Sequence, residues 1–178
     1  MPTDVGHMVN GLILSLVGEL GYNDSAISIL KGLLSDDLFP HVNFLGDVFV
    51  SGGLQPSGKY GTAENNCLRG LAMMMYAFYD DPRNDDLDFF DYVLPVLFGD
   101  DMLAAVKDEI ADRYNNVTYA AFVKEHFGMG FTPASKKGDL SKFVTIDTMS
   151  FLKRTFVWDE SYQMWFAPLA LPSIYKAL

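Results

Sequence analysis

Asp100 and Asp101 stand between two apolar runs, in FFDYVLPVLFGDDMLAAV (89–106). Asp-Asp also occurs at 36–37, 80–81 and 85–86, beside polar or turn-forming residues where a surface turn accounts for it. Pro95 and Gly99 disfavour a helix through 89–106, and Val93, Val96, Phe98 and Val106 favour strands. The segment therefore reads as a hairpin with the Asp pair at its tip. Two carboxylates held so close repel each other unless a cation joins them. Hard oxygen ligands of this kind suit Mg²⁺ or Mn²⁺. A polar hairpin turn is the plainer reading of the same residues.

A glycine-rich loop, SGGLQPSGKYG (51–61), leads into a helical pattern. Residues 53–59 fit GxxxxGK, the outline of a phosphate-binding P-loop. Tyr60 stands where that loop needs Ser or Thr, and a phenol cannot replace the short magnesium-binding hydroxyl. The Val96–Phe98 run also turns straight back into Met102–Val106, a hairpin and not a parallel crossover. A nucleotide hydrolase of the P-loop kind is thus disfavoured. Beyond the loop, Thr62 and Asn66 are four residues apart and share a face of the first helical turn. With Ser57 and the N–H groups of a helix N-terminus, they could read a sugar hydroxyl or a phosphate.

Two basic segments follow. TPASKKGDLSKF (132–143) carries Lys136, Lys137 and Lys142 and reads as a solvated loop. In SFLKRTF (150–156), Lys153 and Arg154 interrupt an apolar strand pattern, as on a strand edge that faces solvent or an anion.

The elements that must position these groups follow from periodicity. Apolar residues at helical spacing predict helices over 3–20, from Asp24 or Ser25 to about Leu34, over 62–79, and from near Thr118 to Phe127. Short strands are expected at 41–45, 47–50, 92–98, 102–107, 144–146, 149–152, 155–158 and 164–167. This order is α+β with an antiparallel sheet backed by helices, not a βαβ array.

Composition sets outer bounds. Apolar residues make up 49% and charged residues 20%, ordinary for a folded domain. The net charge of −10 argues against a free-standing nucleic-acid binder. It is uneven: residues 80–112 hold 11 Asp/Glu against 2 Lys/Arg, and 124–154 hold 6 Lys/Arg against 3 Asp/Glu. An acidic centre next to a basic strip is compatible with a cation beside an anionic ligand, or with solvated faces. Cys67 is the sole cysteine, which excludes an internal disulfide. No apolar run suits a membrane span, and no signal peptide is visible.

Taken in order, four segments resemble motifs B, C, D and E of the RNA-dependent RNA polymerase of picornavirus-like positive-strand RNA viruses. SGGLQPSGKYGTAENN (51–66) is similar to motif B, and LFGDD (97–101) to motif C, with Phe98 in place of the usual Tyr. FGMGFTPASKK (127–137) is similar to motif D and SFLKRTF (150–156) to motif E. In that family a further metal-binding Asp lies on a strand ahead of the first helix. Nothing here matches it, since Asp4 falls on the helix side.

The resemblance implies a fragment of a right-hand polymerase. Residues 1–170 would be palm, with 1–45 helical and partly a palm–fingers insertion, and 171–178 would begin a thumb. It implies RNA synthesis on an RNA template and primer from ribonucleoside triphosphates, by a two-metal mechanism with Mg²⁺ or Mn²⁺. Asp100 and Asp101 would bind metal. Ser57, Gly58, Thr62 and Asn66 would bind the nucleotide and sense its 2′-hydroxyl. Lys136, with Lys137 as its register-shifted rival, would protonate the leaving pyrophosphate. Phe151, Leu152, Lys153 and Arg154 would form the primer grip. Other parts of the viral polyprotein would be partners, the setting would be membrane-associated replication complexes of the host cytoplasm, and the chain alone would be inactive.

Overall fold

The computed structural model describes residues 2–52, 61–134 and 139–176. These fall into two compact units: residues 1–75 with Phe98–Asp100, and Tyr76–Leu97 with residues 101–178.

In the first unit, α1 (Thr3–Glu19) buries Val5, Gly6, Val9 and Asn10, a stripe at helical spacing. It packs on α2 (Asp24–Leu38), which buries Leu34 and Leu38. The cap of α2 is Asn23, not Asp24 or Ser25: its side chain accepts from the Ala26 N–H at 2.9 Å. Across the pair, the Asn10 Nδ2 donates to the Leu34 carbonyl at 3.0 Å. Strands β1 (His41–Phe44) and β2 (Asp47–Val50) pair antiparallel, with His41 opposite Val50. Their turn is Leu45–Gly46, both at positive φ. Helix α3 (Thr62–Tyr79) has the bounds that its pattern predicts and runs on into the second unit.

The second unit is centred on three aromatic rings. Phe78 packs edge-on against Phe89 at 5.4 Å and Tyr114 at 5.7 Å between ring centres. Asn84, buried beside them, donates to the Phe78 carbonyl at 2.8 Å and accepts from the Arg113 Nε at 2.8 Å. The apolar run opens as a helical turn, α4 (Phe89–Tyr92), because the Asp88 carboxylate caps the Phe90 N–H at 2.8 Å. Then come β3 (Val93–Phe98) and β4 (Asp101–Val106), which pair. Helix α5 (Asn116–Phe127) starts two residues earlier than expected, at a reciprocal capping box between Asn115 and Thr118. Gly128, at φ +62, ends it.

The C-terminal strands are shorter than their apolar pattern. They are β5 (Ser150–Phe151), β6 (Arg154–Thr155), β7 (Val157–Asp159) and β8 (Met164–Phe166), followed by α6 (Leu171–Tyr175). No strand forms at 144–146: Thr145 and Thr148 bond each other through backbone and hydroxyl groups, closing a local turn. The antiparallel strands make four separate two-stranded ladders among the described residues.

Candidate active site

Only Gly99 and Asp100 join β3 to β4, and strands joined so tightly must run antiparallel. Asp101 is therefore the first residue of β4, and the tip is Gly99–Asp100, one position earlier than the Asp pair itself. Gly99 has φ +61 while Asp100 does not enter the positive-φ region, the combination a type II′ turn requires. A Cβ on Gly99 would meet nothing within 4 Å, so conformation and not space demands glycine here. The Gly99 N–H donates to the Cys67 Sγ at 3.2 Å, which ties the turn to α3 one residue past Asn66. Phe98–Asp100 accordingly belongs to the first unit, with the start of α3.

Thr62 is the first residue of α3 and Asn66 lies one turn on; both are half-buried. Ser57 and Gly58 lie outside the described residues, as do Lys136 and Lys137.

SFLKRTF does not form a strand with adjacent cations. It is a hairpin in which Ser150 faces Thr155 and Phe151 faces Arg154. Leu152 (φ 52) and Lys153 (φ 61) are its turn, a conformation usually left to Asn-Gly. The two cations thereby part. Arg154 donates from Nη1 to the Ala167 carbonyl at 2.7 Å and pairs through its backbone with Leu169. Lys153 is exposed at the corner, its carbonyl accepting from the Ala170 N–H at 2.8 Å. Phe151 is half-buried and Leu152 exposed. β5 lies against β4, the strand that Asp101 opens.

Asp100 and Asp101 are exposed and form no ion pair with the described residues. No group of three or more metal-ligating side chains forms among the described residues. Two adjacent carboxylates are still a fitting partial set for Mg²⁺, which keeps several waters when one or two carboxylates hold it. Within the second unit, the carboxyl of Asp81 is held down to about 2 by hydrogen bonds from the Arg83 side chain and backbone, with Arg83 Nη2 at 2.6 Å.

Cys67 is the participant that the spacing of polar residues does not reveal. Its thiol reads as a small apolar side chain in a helix, and only the folded turn shows it accepting an N–H.

The sequence profile described as viral RNA-dependent RNA polymerase matches residues 46–177. Among curated proteins, the chain is 37% identical over 119 residues to the Nora virus replication polyprotein, covering 66% of this chain and 6% of that one. It is 29% identical over 171 residues to the acute bee paralysis virus replicase polyprotein, covering 89% of this chain and 9% of that one. The Sicinivirus 3Dpol RNA-dependent RNA polymerase superposes with a TM-score of 0.80 at 19% identity, over 97% of this chain and 35% of that structure. The chain thus spans a small part of the polyproteins it matches, and its α+β architecture is that of a polymerase palm. With the profile covering most of its length, the chain belongs to the viral RNA-dependent RNA polymerase family.

Proposed function

We propose that this chain is the palm portion, residues 1–170, of an enzyme that copies RNA from ribonucleoside triphosphates, with residues 171–178 opening a thumb. The observation that carries the reading is the Gly99 to Cys67 bond, which holds a two-residue acidic turn against the helical turn bearing Asn66. Metal-binding and sugar-reading groups have to be that close to act on one nucleotide.

In the reaction the primer 3′-oxygen attacks the α-phosphorus of the incoming nucleotide. The bond to the bridging oxygen breaks, and pyrophosphate leaves with that electron pair and takes up a proton. Mg²⁺ or Mn²⁺ held by Asp100, with Asp101 assisting, would neutralise charge on the phosphate oxygens and lower the proton affinity of the 3′-hydroxyl. Asn66 and Thr62, with Ser57 and Gly58 from the preceding loop, hold the ribose. An amide and a hydroxyl can both bond to a 2′-hydroxyl, which is what separates ribo- from deoxynucleotides. Lys136 donates the proton that pyrophosphate takes up. Lys153 at its exposed corner meets the primer backbone, and Arg154 braces the hairpin that carries it.

RNA template and primer are then the macromolecular partners, along with the other polymerase parts of the same polyprotein. The setting is the membrane-associated replication complex of the host cytoplasm. No helix among the described residues is long and apolar enough to cross a membrane. The hydrolase reading loses ground, because β3 turns directly into β4.

The test uses the complete viral polymerase that contains this chain. Asp100→Ala should abolish primer extension, and Asp101→Asn, which keeps an oxygen ligand, should reduce it less. Asn66→Ala should cost about 5- to 150-fold in discrimination against 2′-deoxynucleotides, the equivalent of one lost hydrogen bond of about 1–3 kcal/mol. Full extension by Asp100→Ala, or an unchanged incorporation ratio for Asn66→Ala, would overturn these roles. The 178-residue chain alone should incorporate nothing, as part of the carboxylate set lies elsewhere.

A further inference from the structure

Phe98–Asp100 come from the β3–β4 hairpin but lie in the first unit, with the start of α3. The hairpin by itself does not fix them there. β3 and β4 form a two-stranded sheet with no third strand among the described residues, and a lone pair of strands is only marginally stable in water. Asp100 has no ion pair among the described residues to hold it. In a two-residue hairpin loop the closing bonds run between the residues that flank the loop, so the N–H of the first loop residue is left over. Here that residue is Gly99. Its N–H is partly buried and needs an acceptor from outside the turn. The Cys67 Sγ is that acceptor, 3.2 Å away.

Cys67 is a free, half-buried thiol on α3, directly after Asn66. A half-buried thiol is otherwise a small apolar filler. This one meets a backbone N–H, and the N–H belongs to the residue before Asp100. One planar peptide joins Gly99 to Asp100, so a shift of the first carries the second with it. The bond thus links the acidic turn to the helical turn of Asn66 at a single spacing.

We propose that Cys67 is a positioning residue for RNA synthesis: by accepting the Gly99 N–H, it sets the distance between the Asp100 carboxylate and the turn of α3 that carries Thr62 and Asn66. The inference rests on the polymerase reading of that site. In this role the thiol touches neither nucleotide nor metal and acts through the Gly99–Asp100 peptide. Without the bond, α3 still offers its groups to the sugar, while the carboxylate that holds the metal is displaced from the reacting phosphate. The loss therefore falls on the chemical step and not on nucleotide binding.

The experiment follows primer extension by the complete polymerase that contains this chain, comparing wild type, Cys67→Ala and Cys67→Ser. Ala and Ser remove nearly the same bulk, and only Ser keeps an acceptor. Cys67→Ala should lower kcat by about 10-fold or more and leave the nucleotide KM within about 2-fold, because small misplacements of reacting groups are costly. The Mg²⁺ concentration for half-maximal rate should rise with it. Cys67→Ser should recover most of the lost kcat. A wild-type kcat in Cys67→Ala, equal losses in the Ala and Ser variants, or a loss confined to KM would overturn the proposal. Should Cys67→Ala fail to fold, a structure of the wild-type polymerase with Mg²⁺ and nucleotide decides. The Gly99 N–H on the Cys67 Sγ supports the inference, and any other acceptor there overturns it. Asp100→Ala in the same assay tests the polymerase reading by itself. If it extends primers as well as wild type, that reading falls and this inference with it. A wild-type kcat in Cys67→Ala beside an inactive Asp100→Ala removes the inference alone.

Discussion

Lys153 and Arg154 are neighbours of the same charge, and the fold gives them opposite tasks. The left-handed φ of Leu152 and Lys153 turns the chain so tightly that Lys153 projects at the corner while Arg154 reaches back to the Ala167 carbonyl. Arg154→Ala should therefore act on stability, lowering it by about 1 kcal/mol through the lost hydrogen bond, as read by urea unfolding of the chain. Lys153→Ala should leave unfolding unchanged. In the complete polymerase it should weaken RNA binding and reduce the slope of log Kd against log salt by about 0.7–0.9, one phosphate contact. If Arg154→Ala flattens the salt slope and Lys153→Ala does not, the roles are reversed.

Among the elements, α5 owes its first turn to Asn115, whose side chain accepts from Val117 and Thr118 while the Thr118 hydroxyl accepts from the Asn115 N–H. Asn115→Ala should cost about 1 kcal/mol, measured as a fall in the unfolding midpoint, and Asn115→Asp should retain most of it. α1 and α3 were legible in the sequence because their apolar stripes are long and loops or glycines bound them. The β3–β4 hairpin was legible because Gly99 supplies a positive φ at the one place that needs it. Where side chains outside the usual turn set close a turn, the pattern misleads. Leu152-Lys153 carries neither Gly nor Asn, so the pattern runs one strand through Leu152 and puts the break at 153–154, and the Thr145–Thr148 turn hides behind Val144 and Ile146. The candidate site was legible as residue types and spacings. The thiol that fastens it was not, since the Gly99–Cys67 bond joins residues 32 apart in the chain.

At the scale of the molecule, the buried phenols set an alkaline limit. Burial pushes the Tyr119 hydroxyl up to about 12 and raises that of Tyr114 further still. In the unfolded chain both ionise near the usual phenol value of about 10. Above that pH the folded state keeps protons that the unfolded state has lost, so stability falls as pH rises, by up to about 1.4 kcal/mol per pH unit for each phenol. Urea unfolding followed from pH ~9 to ~11.5 should show this decline, and Tyr119→Phe should make it shallower. An unchanged slope in Tyr119→Phe would mean that Tyr119 ionises freely in the folded protein.

Strand β3 sets Leu94, Val96 and Phe98 on alternate positions, and all three are exposed, by 68%, 46% and 58%. For whoever handles the polypeptide in a tube, that row of oily side chains is a colloidal matter. At neutral pH the −10 net charge keeps copies apart. Near the isoelectric point of about 4.5 that repulsion vanishes and the stripe is left to govern encounters. Clouding should therefore begin close to that pH and recede on either side, and Val96→Lys should narrow the turbid range.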